Sequence, residues 1–154
     1  MTIINTATVL AGVKAVLETM TGVTPLPVYI VDGNYQAKYS LATGNLIFLD
    51  PGNFSLEDFM SGAAGGGTNP RKYTLEVAIT LVSMGMSIDA CATARDLLLG
   101  KALEALKTNR SLSGAGGALM SIITGGSLAP RGLPGSVEGT FRAAQINLEI
   151  HFRS

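Results

Sequence analysis

The chain has 154 residues, enough for one domain with a sizeable core, and its eleven basic and eleven acidic residues balance to zero. Only 14% of residues are charged against 47% hydrophobic, which excludes the basic footprint of a nucleic-acid-binding surface. No apolar run reaches the roughly 18 residues of a membrane-spanning helix, and the single cysteine, Cys91, excludes an intrachain disulfide and makes a reducing compartment the default. The opening run MTIINTATVL lacks the basic start and small-residue cleavage pattern of a signal peptide. So few charges point to a surface covered in part by neighbouring subunits. The alternative is a monomer whose surface is rich in Ser, Thr and Asn.

Residues 5–21 read as a helix: Val9, Val13, Val16, Leu17 and Met20 share a face, Asn5 or Thr6 caps the start, and Gly22 ends it. Pro25 and Pro27 stop any continuation. Two short strands follow, at 28–32 (VYIVD) and 46–49 (LIFL), each bounded by turn residues. Residues 51–70 are glycine-rich and read as a long exposed arm, with Ser55 capping one helical turn through Phe59. From Tyr73 to Val82 the apolar residues alternate as in a half-buried strand. Ser87 is an N-cap and Asp89 sits where the helix dipole favours a negative charge. Cys91, Ala94, Leu98, Ala102 and Ala105 then form the apolar face of a helix running to about Lys107. A Ser/Gly-rich link at 111–117 leads to a strand at 118–124, a second long loop at 125–139, and a closing strand. In that last strand Ala144, Ile146, Leu148, Ile150 and Phe152 alternate with polar residues. The order predicts a single α+β domain over residues 1–154, with a mostly antiparallel β-sheet, two helices packed on one face, and a Gly-rich arm.

No catalytic constellation emerges. His151, the only histidine, lies on the polar side of the last strand between Glu149 and Arg153, with no nucleophile or orienting group assignable to it. Cys91 falls on the apolar face of the long helix, where a thiol behaves as a small hydrophobe; its place near the helix start is the one feature that favours reactivity. One cysteine and one histidine argue against zinc. The glycines at 62–67 precede a strand and those at 114–117 follow a helix, the reverse of a phosphate loop. Arg71, Lys72, Arg131, Arg142 and Arg153 are scattered over loops and strand ends, where they either line a ring or are simple solvated charges.

The arrangement of RKYTLEVAITLVSMG (71–85), SIDACATARDLLLGKALEAL (87–106) and the closing strand AAQINLEIHFRS, preceded by a helix, Pro25, Pro27 and VYIVD, resembles the tail terminator (tail completion) proteins of tailed bacteriophages. The resemblance covers about residues 71–154, with weaker support from 1–50. It implies a virion protein of the tail or neck, assembled in the host cytoplasm. It would form a ring, typically a hexamer, that stops growth of the tail tube and joins it to the head-completion or connector proteins. DNA would pass through the channel as cargo, and in a contractile tail the sheath protein would be a further neighbour. No catalysis, cofactor, metal or membrane is expected. The interface residues expected are Phe54, Phe59 and Met60 on the arm, Arg131 and Leu133 at the tube or connector contact, and Arg71 and Arg153 at strand ends. Two other readings stay open: another neck or tube protein, and a small cytosolic α+β enzyme or ligand-binding domain with a pocket near Cys91 or His151.

Overall fold

The computed structural model describes residues 5–23, 27–30, 38–40, 44–58, 71–85, 87–128, 136–138 and 140–153. In chain order the elements are α1 (Thr6–Glu18), β1 (Val28–Ile30), β2 (Lys38–Ser40), β3 (Gly44–Asp58), β4 (Arg71–Met84), α2 (Ile88–Thr108), a run of tight turns (Leu112–Gly117), β5 (Ala118–Ser127), β6 (Ser136–Glu138) and β7 (Phe141–Arg153). Five strands form one sheet in the order β1-β3-β4-β7-β5, and β2 pairs with β6 in a separate two-stranded ribbon. Within the five-stranded sheet only β1–β3 is parallel; the other pairs are antiparallel.

Alternation decides the layers. Leu75, Val77, Ile79 and Leu81 of β4 point to the same side as Ile146, Leu148, Ile150 and Phe152 of β7, and all are buried. Both helices cover that side: Val9, Val13 and Leu17 of α1 and Leu98, Ala102 and Leu106 of α2 join these strand residues in one core. Each such fully buried aliphatic side chain contributes about 1.5–3 kcal/mol. The architecture is therefore α+β, with both helices on one face of a mostly antiparallel sheet. The opposite face carries a second, smaller core at the end bearing Met84, where Leu46, Phe48, Val82 and Ala143 are buried and the Phe48 ring stacks on Tyr29 with centroids 6.0 Å apart.

The helix caps follow from local chemistry. The Asn5 side chain accepts from the Thr8 N–H at 3.1 Å, and Ser87 Oγ accepts from the Ala90 N–H at 3.2 Å. The side-chain amide of Asn109 donates to Ala105 O at 2.9 Å, closing α2. α1 ends three residues or so before the expected stop, because Thr19 Oγ1 turns back to donate to Val16 O at 2.6 Å.

The sequence reading is corrected at three places. Residues 51–58 are not arm: β3 continues through them, with Ser55 in register with Thr74, so no helical turn starts at Ser55. Pro51-Gly52 makes a bulge, with the register shifting between Pro51 and Phe54. Proline is tolerated there because, among the described residues, β1 pairs with β3 only as far as Leu49. The rest of the arm, 59–70, lies outside the described residues. β5 runs on through Gly125 and Gly126 to Ser127, and Ser136–Glu138 is strand, so the loop expected at 125–139 is shorter at both ends; residues 129–135 lie outside the described residues. The first strand is described only as far as Ile30. β2 was not foreseen at all.

The turns at Leu112–Gly117 pack on α1 through two glycines, Gly12 of the helix and Gly116 of the turns. A Cβ at Gly116, whose φ is +62°, would lie 2.5 Å from Val9 Cγ2 and 3.0 Å from Asn5 O. Gly116→Ala therefore lowers unfolding free energy by about 2–3 kcal/mol through clash and backbone strain. Gly100 sits inside α2 with nothing within 4 Å of its would-be Cβ. Gly100→Ala raises stability by about 0.5–1 kcal/mol through helix propensity. Urea denaturation of the two variants beside the parent checks both signs.

Candidate subunit interface

β5 closes the sheet on the side of β7 and has no strand on its outer side among the described residues. Its sequence, ALMSIITGGS, contains no charge and no proline. Natural edge strands are usually blunted by such residues. Here Leu119, Met120 and Ile122 are exposed instead, as is Leu128 just beyond. Two neighbouring backbone contacts limit the edge: the Ser121 N–H donates to Arg110 O at 2.7 Å, and Arg95 Nη1 donates to Leu128 O at 3.3 Å. The stretch Ile122–Gly126 lies between them.

Two open clefts run beside this strand on the side of α2. One, of about 310 Å³, is bordered by Leu99, Leu103, Ile123, Leu128 and Ile146. The other, of about 360 Å³, is bordered by Leu106, Lys107, Arg110, Met120, Ser121 and Ile123. Their walls are mainly aliphatic. Ser121 Oγ is buried at the second cleft without a hydrogen-bond partner among the described residues.

The opposite side of the sheet ends differently. β1 covers β3 only over Ile47–Leu49, so residues 52–58 have no outer strand among the described residues. Phe54, in register with the buried Leu75 and hence on the helix side of the sheet, is 71% exposed, the highest value among the exposed large hydrophobic residues described.

Of the expected interface residues, Phe54 is thus found exposed on a strand rather than on an arm. Arg71 stands opposite Asp58, and Arg153 opposite Lys72, so these two arginines lie on neighbouring strands at the hairpin end of the sheet. Phe59, Met60, Arg131 and Leu133 lie outside the described residues. The apolar run on β5 was missed, although its lack of charge over ten residues was a visible signal.

The candidate chemistry is sparse. His151 Nε2 lies 2.8 Å from Glu149 Oε1, close by distance but off the line of a ring N–H. Glu149 faces Glu76 across the β4–β7 pair, and Thr74 faces His151. Cys91 is 1% exposed, lies against Gly85, and directs its thiol to Thr140 O at 3.5 Å. Among the described residues no set of three His, Cys, Asp or Glu side chains is gathered as a metal site, and no helix is long and apolar enough to cross a membrane.

A scan of protein-family models finds none that matches this chain, and a search of curated proteins finds no similar sequence.

Burial of Cys91 has a direct consequence. A thiol reagent such as DTNB reacts with Cys91 in the native protein at least ~100-fold more slowly than in urea, because attack requires an opened structure. Equal rates in the two conditions would mark an accessible, reactive thiol and favour an enzymatic role.

Proposed function

We propose that this chain is a structural subunit of a tailed-phage virion, forming a ring, hexameric in the simplest case, that terminates the tail tube and joins it to the head-completion or connector proteins. The observation that carries the reading is the long, uncharged β5 edge with exposed Leu119, Met120 and Ile122 beside aliphatic clefts. An edge of this kind attracts another strand, and a subunit destined for a closed assembly has one to supply. The low charge of the chain agrees with extensive subunit contact. The order helix, short strand, long strand Arg71–Met84, helix Ile88–Thr108 and closing strand is the pattern behind the family resemblance. A neutral balance suits a channel through which DNA slides as cargo rather than being gripped at its phosphates. The tube protein, the connector and, in a contractile tail, the sheath are the expected neighbours; the virion neck is the expected location, reached by assembly in the host cytoplasm.

The test is the solution mass by light scattering with negative-stain images of the same sample. Closed rings near six times the 15.9 kDa subunit are expected. Open tubes that lengthen with concentration would instead assign the chain to the tube itself. A protein that stays at subunit mass, both alone and with purified tail tubes, would overturn the ring reading.

A further inference from the structure

Among the described residues the sheet has two uncovered edges that differ, and their geometry is complementary. Strand directions alternate from β3 through β4 and β7 to β5, so β3 and β5 run in opposite senses. Copies placed side by side without inversion therefore bring β5 of one against β3 of the next in antiparallel orientation. The edges also overlap in height. Phe54, Leu75, Ile150 and Ser121 are successive partners in one row across the sheet, so Phe54 stands level with the cleft beside Ser121. Phe54 projects on the helix side, and the cleft opens beside α2, on that same side.

From these relations we infer that the occupant of the β5 cleft is the outer half of β3, residues 52–58, of a second copy of this chain, with Phe54 seated against Leu106 and Ile123. This inference rests on the ring reading above and names its contact. The space available, about 360 Å³, admits a phenyl side chain. Because Arg110 O already holds the Ser121 N–H, backbone pairing is confined to Ile122–Gly126. Antiparallel pairing with Phe54 near Ile123 then carries Glu57 and Asp58 of the incoming strand towards the Arg110 end of β5. Lys107 and Arg110 form the basic rim of the cleft there. Within its own hairpin, the incoming pair lies in register with Lys72 and Arg71. The contact joins one surface to a different one, so it is heterologous and repeats head to tail. Such contacts close into rings, whereas a two-fold contact stops at a dimer.

The decisive experiment is a disulfide trap. A Phe54→Cys chain is mixed with an Ile122→Cys or Ile123→Cys chain, the buried native Cys91 being retained, and oxidised at high protein concentration. Peptide mass spectrometry identifies the bonds, and circular dichroism checks each fold beforehand. A mixed bond from position 54 to 122 or 123 is expected. Its absence with both partners, or a predominance of 54–54 or 122–122 bonds, would overturn the contact. Light scattering then separates the two ideas. Where the parent forms rings, Phe54→Asp is expected to reduce their mass to the 15.9 kDa subunit. Leu97→Asp, at an exposed apolar position on α2 outside both clefts, is expected to leave them intact. Rings that persist in Phe54→Asp without the mixed bond mean that the ring stands and this contact does not. A parent that stays at subunit mass, both alone and with purified tail tubes, removes the ring, and the presence or absence of the mixed bond still decides the contact.

Discussion

The unbroken pairing of β4 with β7 is the constraint from which the rest of the molecule follows. It runs from Lys72↔Arg153 to Met84↔Phe141 without a register shift. Because side chains alternate with a period of two, a slip by one residue would turn Leu75, Val77, Ile79 and Leu81 away from the helices together with their partners on β7. The cost of exposing such a row exceeds any local preference of the flanking turns, so the pair sets the register for the sheet. It also fixes where α2 lies. α2 follows β4 after a connection of three residues, and its Leu98, Ala102 and Leu106 are buried in the core beside this central pair. α1 then fills the space over β1 and β3, and the turns at Leu112–Gly117 hold it by a backbone approach that only glycine at 116 accommodates.

Irregularity lies outside this central pair. β3 shifts register at Pro51–Phe54, and β5 shifts at Ala118–Met120 and at Ile123–Gly125. Bulges at sheet margins bend a strand and raise its twist. In β5 the second bulge brings Gly126 so close to β7 that a Cβ would overlap Gln145 O, which explains a glycine inside a strand that otherwise reads ALMSIIT. The centre is thus regular, while the margins are shaped. That division suits a subunit whose interior must be constant and whose rims meet other surfaces.

The central strands and both helices were legible in the sequence because their periodicity was strong and their caps carried the usual chemistry. Ser87 and Asn5 act through their side chains as their types suggest. The arm was misread for a physical reason. Pro51, Gly52 and Asn53 signal a turn locally, yet the segment is held in a strand by pairing with β4, a long-range interaction that no window of a few residues contains. The same holds for Gly125–Ser127, where pairing with β7 overrides glycine's low strand preference. The second core around Phe48 was illegible because LIFL shows no alternation, and burial on both faces produces that kind of run. The candidate interface was half legible. Phe54 was singled out as an exposed aromatic, but for its place on an arm. The β5 edge was passed over because a short apolar strand looks the same whether it is central or marginal, and only the strand order makes it an edge.

Edge position also bears on why such a strand is retained. A free, uncharged edge is an aggregation hazard in a monomer, and the common remedies of charge and proline are absent from Ala118–Ser127; among the described residues the Arg110 carbonyl meets its outer side at Ser121. Closure removes the hazard without any of these devices, since in a ring each edge is consumed by the next subunit and none remains. The stagger between the available parts of the two edges matters for this. Ile123 lies in the row of Val77 and Pro51, whereas Phe54 lies in the row of Ser121. Bringing Phe54 against Ile123 therefore offsets each copy along the strand direction relative to its neighbour. Offset pairing is the geometric condition under which strands tilt around a closed barrel instead of extending as a flat sheet. In the proposed contact, the short carbonyl contact at Ser121 would thus do more than satisfy one donor. By blocking unstaggered pairing, it would favour the curved arrangement over the flat one.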